Sequence, residues 1–208
     1  MWHGLLGNSS FYWFLLLVDG ELAQQVAAQR CRHCEGPLRV SNYPRKPRGE
    51  ELPEPLAARY AVRQSYSCGR EGCRRRTTPP SVRFLGRRVY LSAIVTLVTA
   101  MRHGATGARA AALAAHASAK VSRQTMRRWL VWWRRAFPTT PCWGELRGFF
   151  SPAPVSLELP MSLLCRVGQG LPETTRLALT LWHLRALTTA SAPPCAGVPR
   201  ALRDAQKM

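Results

Sequence analysis

The chain has 208 residues, 46% of them hydrophobic, which is enough for one or two domains with a buried core and excludes a largely disordered protein. It carries 30 Lys and Arg against 11 Asp and Glu, a formal net charge of +19 that predicts a polyanionic partner. The longest apolar run, 11–18, is too short to span a membrane, and no Lys or Arg precedes it as in a secretory signal. We therefore expect a cytoplasmic, nucleoid-associated protein with no membrane partner.

Prolines, cysteines and charge divide the chain into four predicted segments. Residues 1–27 are expected to form an N-terminal strand or helix, and residues 28–80 a zinc ribbon with a Pro-rich loop over 44–55. Residues 81–137 are expected to form a helix-turn-helix, and residues 138–208 a C-terminal region that is helical or partly disordered. Residues 61–137 carry 16 basic side chains and the single acid Glu71, a net charge of +15. A run of charge is usually a solvated surface, but this concentration predicts the contact region for a polyanion.

Two closely spaced cysteine pairs are the strongest chemical signal. Two residues separate Cys31 from Cys34, four separate Cys68 from Cys73, and 33 lie between the pairs. Tight pairs within an odd total of seven cysteines favour metal ligation in a reducing compartment over a disulfide framework. Four thiolates complete the tetrahedral shell of one structural zinc ion, so the pattern predicts a zinc ribbon with a short strand over 62–66. A disulfide and plain buried cysteines are the alternatives.

Other residues near the cysteines have supporting roles in this interpretation. Glycines permit the tight backbone of the two turns, at Gly36, Gly69 and Gly72. His33 adjoins Cys34, a poor position for binding the same ion, and is expected to be a surface residue. The remaining cysteines are expected to pack as small apolar side chains, at positions Cys142, Cys165 and Cys195.

Arginines follow the second cysteine pair directly. The chain continues from Cys73 into Arg74, Arg75 and Arg76, and then reaches Arg83, Arg87 and Arg88. A metal-stabilised turn would hold such guanidinium groups rigidly, which suits contacts to phosphates that supply affinity and register without reading bases. Exposed arginines with no ligand are the alternative.

Helical periodicity begins at Tyr90. Apolar residues at helical spacing predict a first helix that ends near Gly104, and an alanine-rich second helix follows Thr106. The third helix has Ser122 as its predicted N-cap, with Val121 and Met126 placed to form a hydrophobic staple. Its predicted buried stripe consists of Met126, Trp129, Leu130, Trp133 and Phe137.

The other side of the third helix carries long hydrogen-bond donors. They begin in the first turn, next to Ser122, and are Arg123, Gln124, Arg127, Arg128, Arg134 and Arg135. Arg can bond guanine, and Gln adenine, through two hydrogen bonds in the major groove of double-stranded DNA. The pattern predicts a recognition helix, with a solvated arginine surface as the alternative.

The paired cysteines precede the stretch Cys73-Arg-Arg-Arg-Thr-Thr-Pro-Pro, and the third helix begins Ser122-Arg-Gln-Thr-Met-Arg-Arg-Trp-Leu. This order, over about residues 28–137, resembles the DNA-binding region of insertion-sequence transposases and transposase-associated proteins. The resemblance implies binding to the terminal repeats of a mobile element. It also implies that the four paired cysteines hold metal and that Arg123, Gln124, Arg127 and Arg128 face DNA.

The segment after Phe137 has few acidic residues, namely Glu145, Glu158, Glu173 and Asp204. A two-metal site for strand transfer needs several convergent carboxylates, so we expect no enzymatic activity. A helix predicted over 173–187 repeats leucine on one side, which either completes the core or binds a second copy of the chain or a transposase partner.

These observations predict an α+β fold that is mostly α, with a small zinc ribbon, a three-helix helix-turn-helix region and a Pro-broken helical C-terminal part. The predicted function is sequence-specific binding of double-stranded DNA, with one zinc ion, by a transposase-associated factor or transcriptional regulator. The alternatives are a non-catalytic or truncated transposase subunit and an RNA-binding zinc-ribbon protein.

Overall fold

A computed structural model describes residues 5, 7–45, 52–84, 106–108, 110–111, 121–188, 190–192 and 197–207. Within these residues the fold is α+β, with helices around one hydrophobic core and five short strands in two small sheets. Arg87, Arg88, Cys195, the first predicted helix and most of the second lie outside the described residues.

Helix α1, Ser9–Ala27, contains the longest apolar run of the sequence. The side chain of Asn8 caps its start by accepting a hydrogen bond from the backbone N–H of Phe11 at 3.2 Å. Apolar side chains at helical spacing, including Leu15 and Leu22, are buried in the core. In the described part of the chain, no helix has the length and apolar character needed to cross a membrane.

The strands are β1 Leu38–Val40, β2 Tyr43–Pro44, β3 Val62–Arg63, β4 Tyr66–Cys68 and β5 Arg76–Thr77. An antiparallel sheet has the order β1-β4-β5, and β2 pairs with β3 separately. The single strand predicted over 62–66 is therefore divided. Hydrogen bonds from Ser65 N–H to the Asn42 side chain, 3.1 Å, and from Ser41 N–H to the Ser65 carbonyl, 2.8 Å, hold the crossover between the two sheets.

A short helix, α2 Leu56–Tyr60, follows the Pro-rich loop and was not predicted. Its Leu56 and Tyr60 are buried, and the Tyr60 ring packs edge-on against Tyr12 with centroids 5.6 Å apart. The segment between the cysteine pairs is thus anchored on α1, and the second cysteine pair can lie close to the first despite the 33 residues between them.

Helix α3, Arg123–Val131, begins where the sequence predicts. The predicted N-cap is confirmed, since the Ser122 hydroxyl accepts the backbone N–H of Thr125 at 3.2 Å. Val121 and Met126 are both buried, as expected of a hydrophobic staple. The helix continues as a π-helical turn over Trp132–Ala136 and a 3-10 turn over Phe137–Thr139. Of the predicted stripe, Leu130 alone is only half-buried.

The C-terminal part contains α4 Pro141–Arg147, α5 Met161–Arg166, α6 Glu173–His183 and α7 Arg200–Ala205. Helix α6 and the 3-10 turn Leu184–Leu187 coincide with the helix predicted over 173–187. Three of its repeated leucines are buried and Leu187 is half-buried, so this side belongs to the core rather than to a free surface for a partner. Helix α7 was not predicted, and its Ala201 N–H donates to the Glu21 carboxylate of α1 at 3.1 Å.

An ion pair lies inside the core. Arg83 and Asp19 are each 1% exposed, with Arg83 Nε 2.6 Å from Asp19 Oδ2. The Ser81 hydroxyl and the Val82 N–H also donate to this carboxylate, at 2.5 and 2.7 Å. The Arg83 guanidinium donates to backbone carbonyls of α2 and β3, at Arg59, Tyr60 and Val62. The inclusion of Arg83 among phosphate-contacting arginines is therefore wrong, because its charge is neutralised inside the protein.

Candidate metal centre and basic surface

The four predicted metal ligands, Cys31, Cys34, Cys68 and Cys73, come together. Their Sγ atoms all lie within 4.8 Å of one another, with 3.3 Å between Cys34 and Cys68 and 3.8 Å between Cys31 and Cys73. Sulfurs at about 2.3 Å from one tetrahedral ion would be about 3.8 Å apart. All four are free thiols. The cluster therefore fits a single four-coordinate ion, and no disulfide joins any two of these sulfurs in this structure.

Both cysteine turns close in the same way despite their different lengths. The N–H of the first cysteine donates to the carbonyl two residues beyond the second, from Cys31 to Gly36 and from Cys68 to Arg75, both at 2.9 Å. The residue directly after each second cysteine has a positive φ, 58° at Glu35 and 42° at Arg74. This left-handed residue reverses the chain, and the extra residues of the second turn are accommodated before it.

Gly36 has a different role from the one predicted. Its φ is not in the left-handed region, but a Cβ here would lie 2.8 Å from Cys68 Sγ and 2.9 Å from Arg70 Cβ. The glycine is required because the second cysteine turn approaches its Cα. Among the three predicted glycines, only Gly72 supplies a positive φ, at 79°.

We expect Gly36→Ala to weaken metal binding at the four cysteines by about 1–3 kcal/mol, because the added methyl overpacks the sulfur cluster. Gly69→Ala is the matched control, since its Cβ would meet only the flexible side chain of Arg39, at 2.7 Å from Nε. Competition with a chromophoric chelator measures both affinities. Equal losses in the two variants would contradict the steric role of Gly36.

The thiols of the cluster differ in pKa. The Gly36 backbone N–H and the neighbouring Cys68 lower the pKa of Cys34 to about 7. The backbone N–H of Arg70 lowers the pKa of Cys68, but burial and the neighbouring cysteines outweigh it and raise this pKa to about 12. The first thiolate thus opposes ionisation of its neighbours. A divalent cation removes this opposition, and the cluster has the chemistry of a metal site.

Exposed arginines surround the metal centre. Arg74, Arg75 and Arg76 are exposed. Four more exposed arginines, which were not predicted, flank the cysteines at Arg30, Arg32, Arg39 and Arg70. Several are held in place. Arg70 donates to the Cys34 carbonyl at 2.8 Å, and the Arg76 guanidinium lies over the Tyr43 ring at 5.2 Å. Their proximity in sequence to the ligands was the signal that could have identified them.

His33 is exposed, as predicted. Its Nε2 accepts from Arg32 Nε at 3.1 Å, and its Nδ1 lies 3.4 Å from Arg75 Nη1. Partial desolvation, then the charges of Arg75 and Arg32, hold its pKa below the ordinary value for histidine. A histidine and two arginines from separate turns therefore meet at the surface.

The predicted donors share one exposed side of α3 and of the π-helical turn that continues it. Arg123, Gln124, Arg127, Arg128, Arg134 and Arg135 are all exposed, and the Ser122 hydroxyl caps the helix. Val131, which was not predicted as part of this surface, is 53% exposed. It lies seven residues after Gln124 and four after Arg127, a spacing that places all three on one surface. The signal in the sequence was an apolar residue at a helix position where polar side chains were expected.

The remaining cysteines differ in environment. Cys142 is half-buried, and burial raises its pKa, which suits a packing residue. Cys165 is exposed, so the prediction that it packs in the interior is wrong. It lies on the outer side of α5, opposite the buried Leu163 and Leu164.

Comparison of the chain with protein-family models, with curated proteins and with solved structures found no match.

Proposed function

We propose that this chain is a sequence-specific double-stranded DNA-binding protein, in which a zinc ribbon contacts the phosphate backbone and α3 reads bases in the major groove. The observation that carries the proposal is the exposed side of α3 and of the π-helical turn that continues it, where six long donor side chains begin at a capped first turn. The opposite side, with Met126, Trp129 and Trp133, is fixed in the core. A rigidly mounted helix with exposed donors is what base recognition requires.

Zinc is the metal that we assign to the four-cysteine site. Thiolates are soft ligands, and a tetrahedral set of four sulfurs suits zinc. All four positions of such an ion are filled by protein, so the ion stabilises the turns and has no open position for catalysis. Elemental analysis of the purified chain should find one zinc ion per molecule, and Cys165→Ser should leave that stoichiometry unchanged.

Val131 adds an apolar contact to the proposed reading surface. The methyl group of thymine is the apolar feature of the major groove, and a valine beside Gln124 and Arg127 can contact it. We therefore propose that thymine, adenine and guanine contacts all come from one side of α3, with Arg134 and Arg135 on phosphates.

The biological role that we propose is that of a transposase-associated factor or transcriptional regulator without enzymatic activity, or else a non-catalytic transposase subunit. Support comes from the resemblance over residues 28–137 and from the distribution of acids. In the part of the chain that the structure describes, the four cysteines are the one cluster of three or more His, Cys, Asp or Glu groups that could hold a metal. The two-metal site of strand transfer would need a carboxylate cluster.

The proposed function is tested by selecting the zinc-loaded protein against a random duplex pool at near-physiological salt. We expect one motif to be enriched. Replacing Arg123, Gln124 or Arg127 by alanine should cost about 1–3 kcal/mol on that motif and far less on unrelated duplex, because each loses a base contact. Arg147→Ala, at an exposed position on α4, is the matched control.

Two results would contradict the proposal. Tight binding at low salt with no enriched motif would leave a non-specific polyanion binder, since charge alone gives affinity that declines as salt rises. Preferential binding of RNA that is indifferent to the α3 substitutions would favour the RNA-binding alternative instead.

A further inference from the structure

The contact between Arg32, His33 and Arg75 leaves hydrogen-bond donors without an acceptor. A neutral imidazole has one N–H and one lone pair, so His33 can accept from only one of the two arginines. Arg32 Nε is 3.1 Å from Nε2 and Arg75 Nη1 is 3.4 Å from Nδ1. Whichever tautomer is present, an N–H of the ring faces an N–H of a guanidinium.

Positive charge at this contact is also uncompensated. Among the described residues, no carboxylate forms an ion pair with Arg32, His33 or Arg75, although Glu35 and Glu71 lie close by in the sequence. All three side chains are exposed. The two guanidinium charges, each within hydrogen-bond distance of the same imidazole, repel each other, and an anion that accepts from all three side chains would reduce that repulsion.

The cysteine turns hold the contact together. Arg32 and His33 lie between Cys31 and Cys34 in the first turn. Arg75 follows the second turn, and its own carbonyl accepts from Cys68 at 2.9 Å. Residues 42 positions apart are thus brought side by side by the same backbone that positions the metal ligands. The donors are fixed before an anion arrives, which lowers the entropic cost of binding it.

We propose that Arg32, His33 and Arg75 bind one phosphate group of the DNA backbone. This inference rests on the proposed function and adds Arg32 and His33 to the DNA-contacting residues. The two guanidinium groups neutralise a single phosphate, and the imidazole N–H donates a further hydrogen bond. The anchor contributes register and affinity without base preference.

The first experiment measures how duplex binding by the zinc-loaded chain depends on salt. If both arginines contact one phosphate, Arg32→Gln or Arg75→Gln alone still leaves that phosphate with one arginine partner. The double variant removes both partners and should reduce the slope of log K against log[salt] by about 1. A reduction of about 2 would mean two separate phosphates, and no reduction would mean no phosphate. Either result overturns the proposal. The matched control is the double variant Arg147→Gln/Arg203→Gln, at exposed positions on α4 and α7, which should leave the slope unchanged.

A second arm changes the DNA instead. Neutral methylphosphonates are placed one at a time along a bound duplex, and one position should weaken binding of the wild-type chain while leaving the Arg32→Gln/Arg75→Gln variant unaffected. Equal weakening of both proteins at every position would overturn the assignment.

A third arm separates this inference from the proposed function. Inorganic phosphate is titrated into the full zinc-loaded chain without DNA, and the His33 ring signals should shift in the NMR spectrum, but not in the double variant. Absence of duplex binding would contradict the proposed function, while the phosphate titration would still decide the anion site. A His33 shift together with an unchanged DNA salt slope would assign the site to free phosphate and overturn its role on DNA.

Discussion

Chelation of the metal that we propose for the four-cysteine site should unfold strands β1, β4 and β5 while the helical core keeps its structure. These strands are two or three residues long, and Leu38 and Cys68 face each other across the ladder between the two cysteine turns. They bury few side chains of their own, so we expect the proposed ion to supply most of their stability. Structural zinc contributes roughly 10–16 kcal/mol of binding free energy in small zinc-finger peptides. Helices α1 and α6 contribute instead to a large apolar core.

Hydrogen exchange of the chain with and without a strong chelator measures this effect. The Cys68 and Gly69 amides, which donate to Arg75 and Pro37 across the module, should lose protection, and amides of α1 should keep it. Cys68→Ser should reproduce the effect without chelator, whereas Cys165→Ser should not. Unchanged protection at Cys68 after elemental analysis shows complete metal loss would refute a structural role for the ion.

Signals that depend on near neighbours were readable from the sequence. The Ser122 cap and the Val121–Met126 staple involve residues within five positions, and the structure forms both. The cysteine pairs were equally readable, because a short turn places its two sulfurs on the same side, where both can bind one ion. Helix α6 had a sufficiently regular apolar period for its bounds to be predicted.

Features that depend on distant residues were not readable. Arg83 looks like one more arginine of a basic region, and only the fold shows that Asp19, 64 residues earlier, reaches it. The steric role of Gly36 arises from the approach of Cys68 Sγ, not from its own backbone. The Arg32–His33–Arg75 contact likewise requires the two turns to be closed onto each other.

Asp19→Ala should destabilise the folded chain by about 3–5 kcal/mol, because it leaves the buried Arg83 charge without its partner. The substitution also removes the acceptor for the Ser81 hydroxyl and the Val82 N–H, which are buried as well. Urea denaturation of the zinc-loaded protein measures the loss. Asp204→Ala is the control, since its pair with Arg200 at 3.4 Å is 56% and 80% exposed and should contribute at most about 0.5 kcal/mol.

Removing both partners of the ion pair should cost less than removing Asp19 alone. The double variant Asp19→Leu/Arg83→Met replaces the pair by apolar side chains, and we expect it to recover part of the stability lost in Asp19→Ala, since Arg63 nearby stays buried and charged. Equal stability of Asp19→Ala and Asp204→Ala would contradict this account of the core. Because the charge of Arg83 is neutralised by Asp19, Arg83→Met in the double variant should also leave the salt dependence of duplex binding unchanged, in contrast to the Arg32→Gln/Arg75→Gln variant. Arginine thus has a structural role in the core and a phosphate-binding role on the surface that we propose for DNA contact, and the two measurements distinguish these roles.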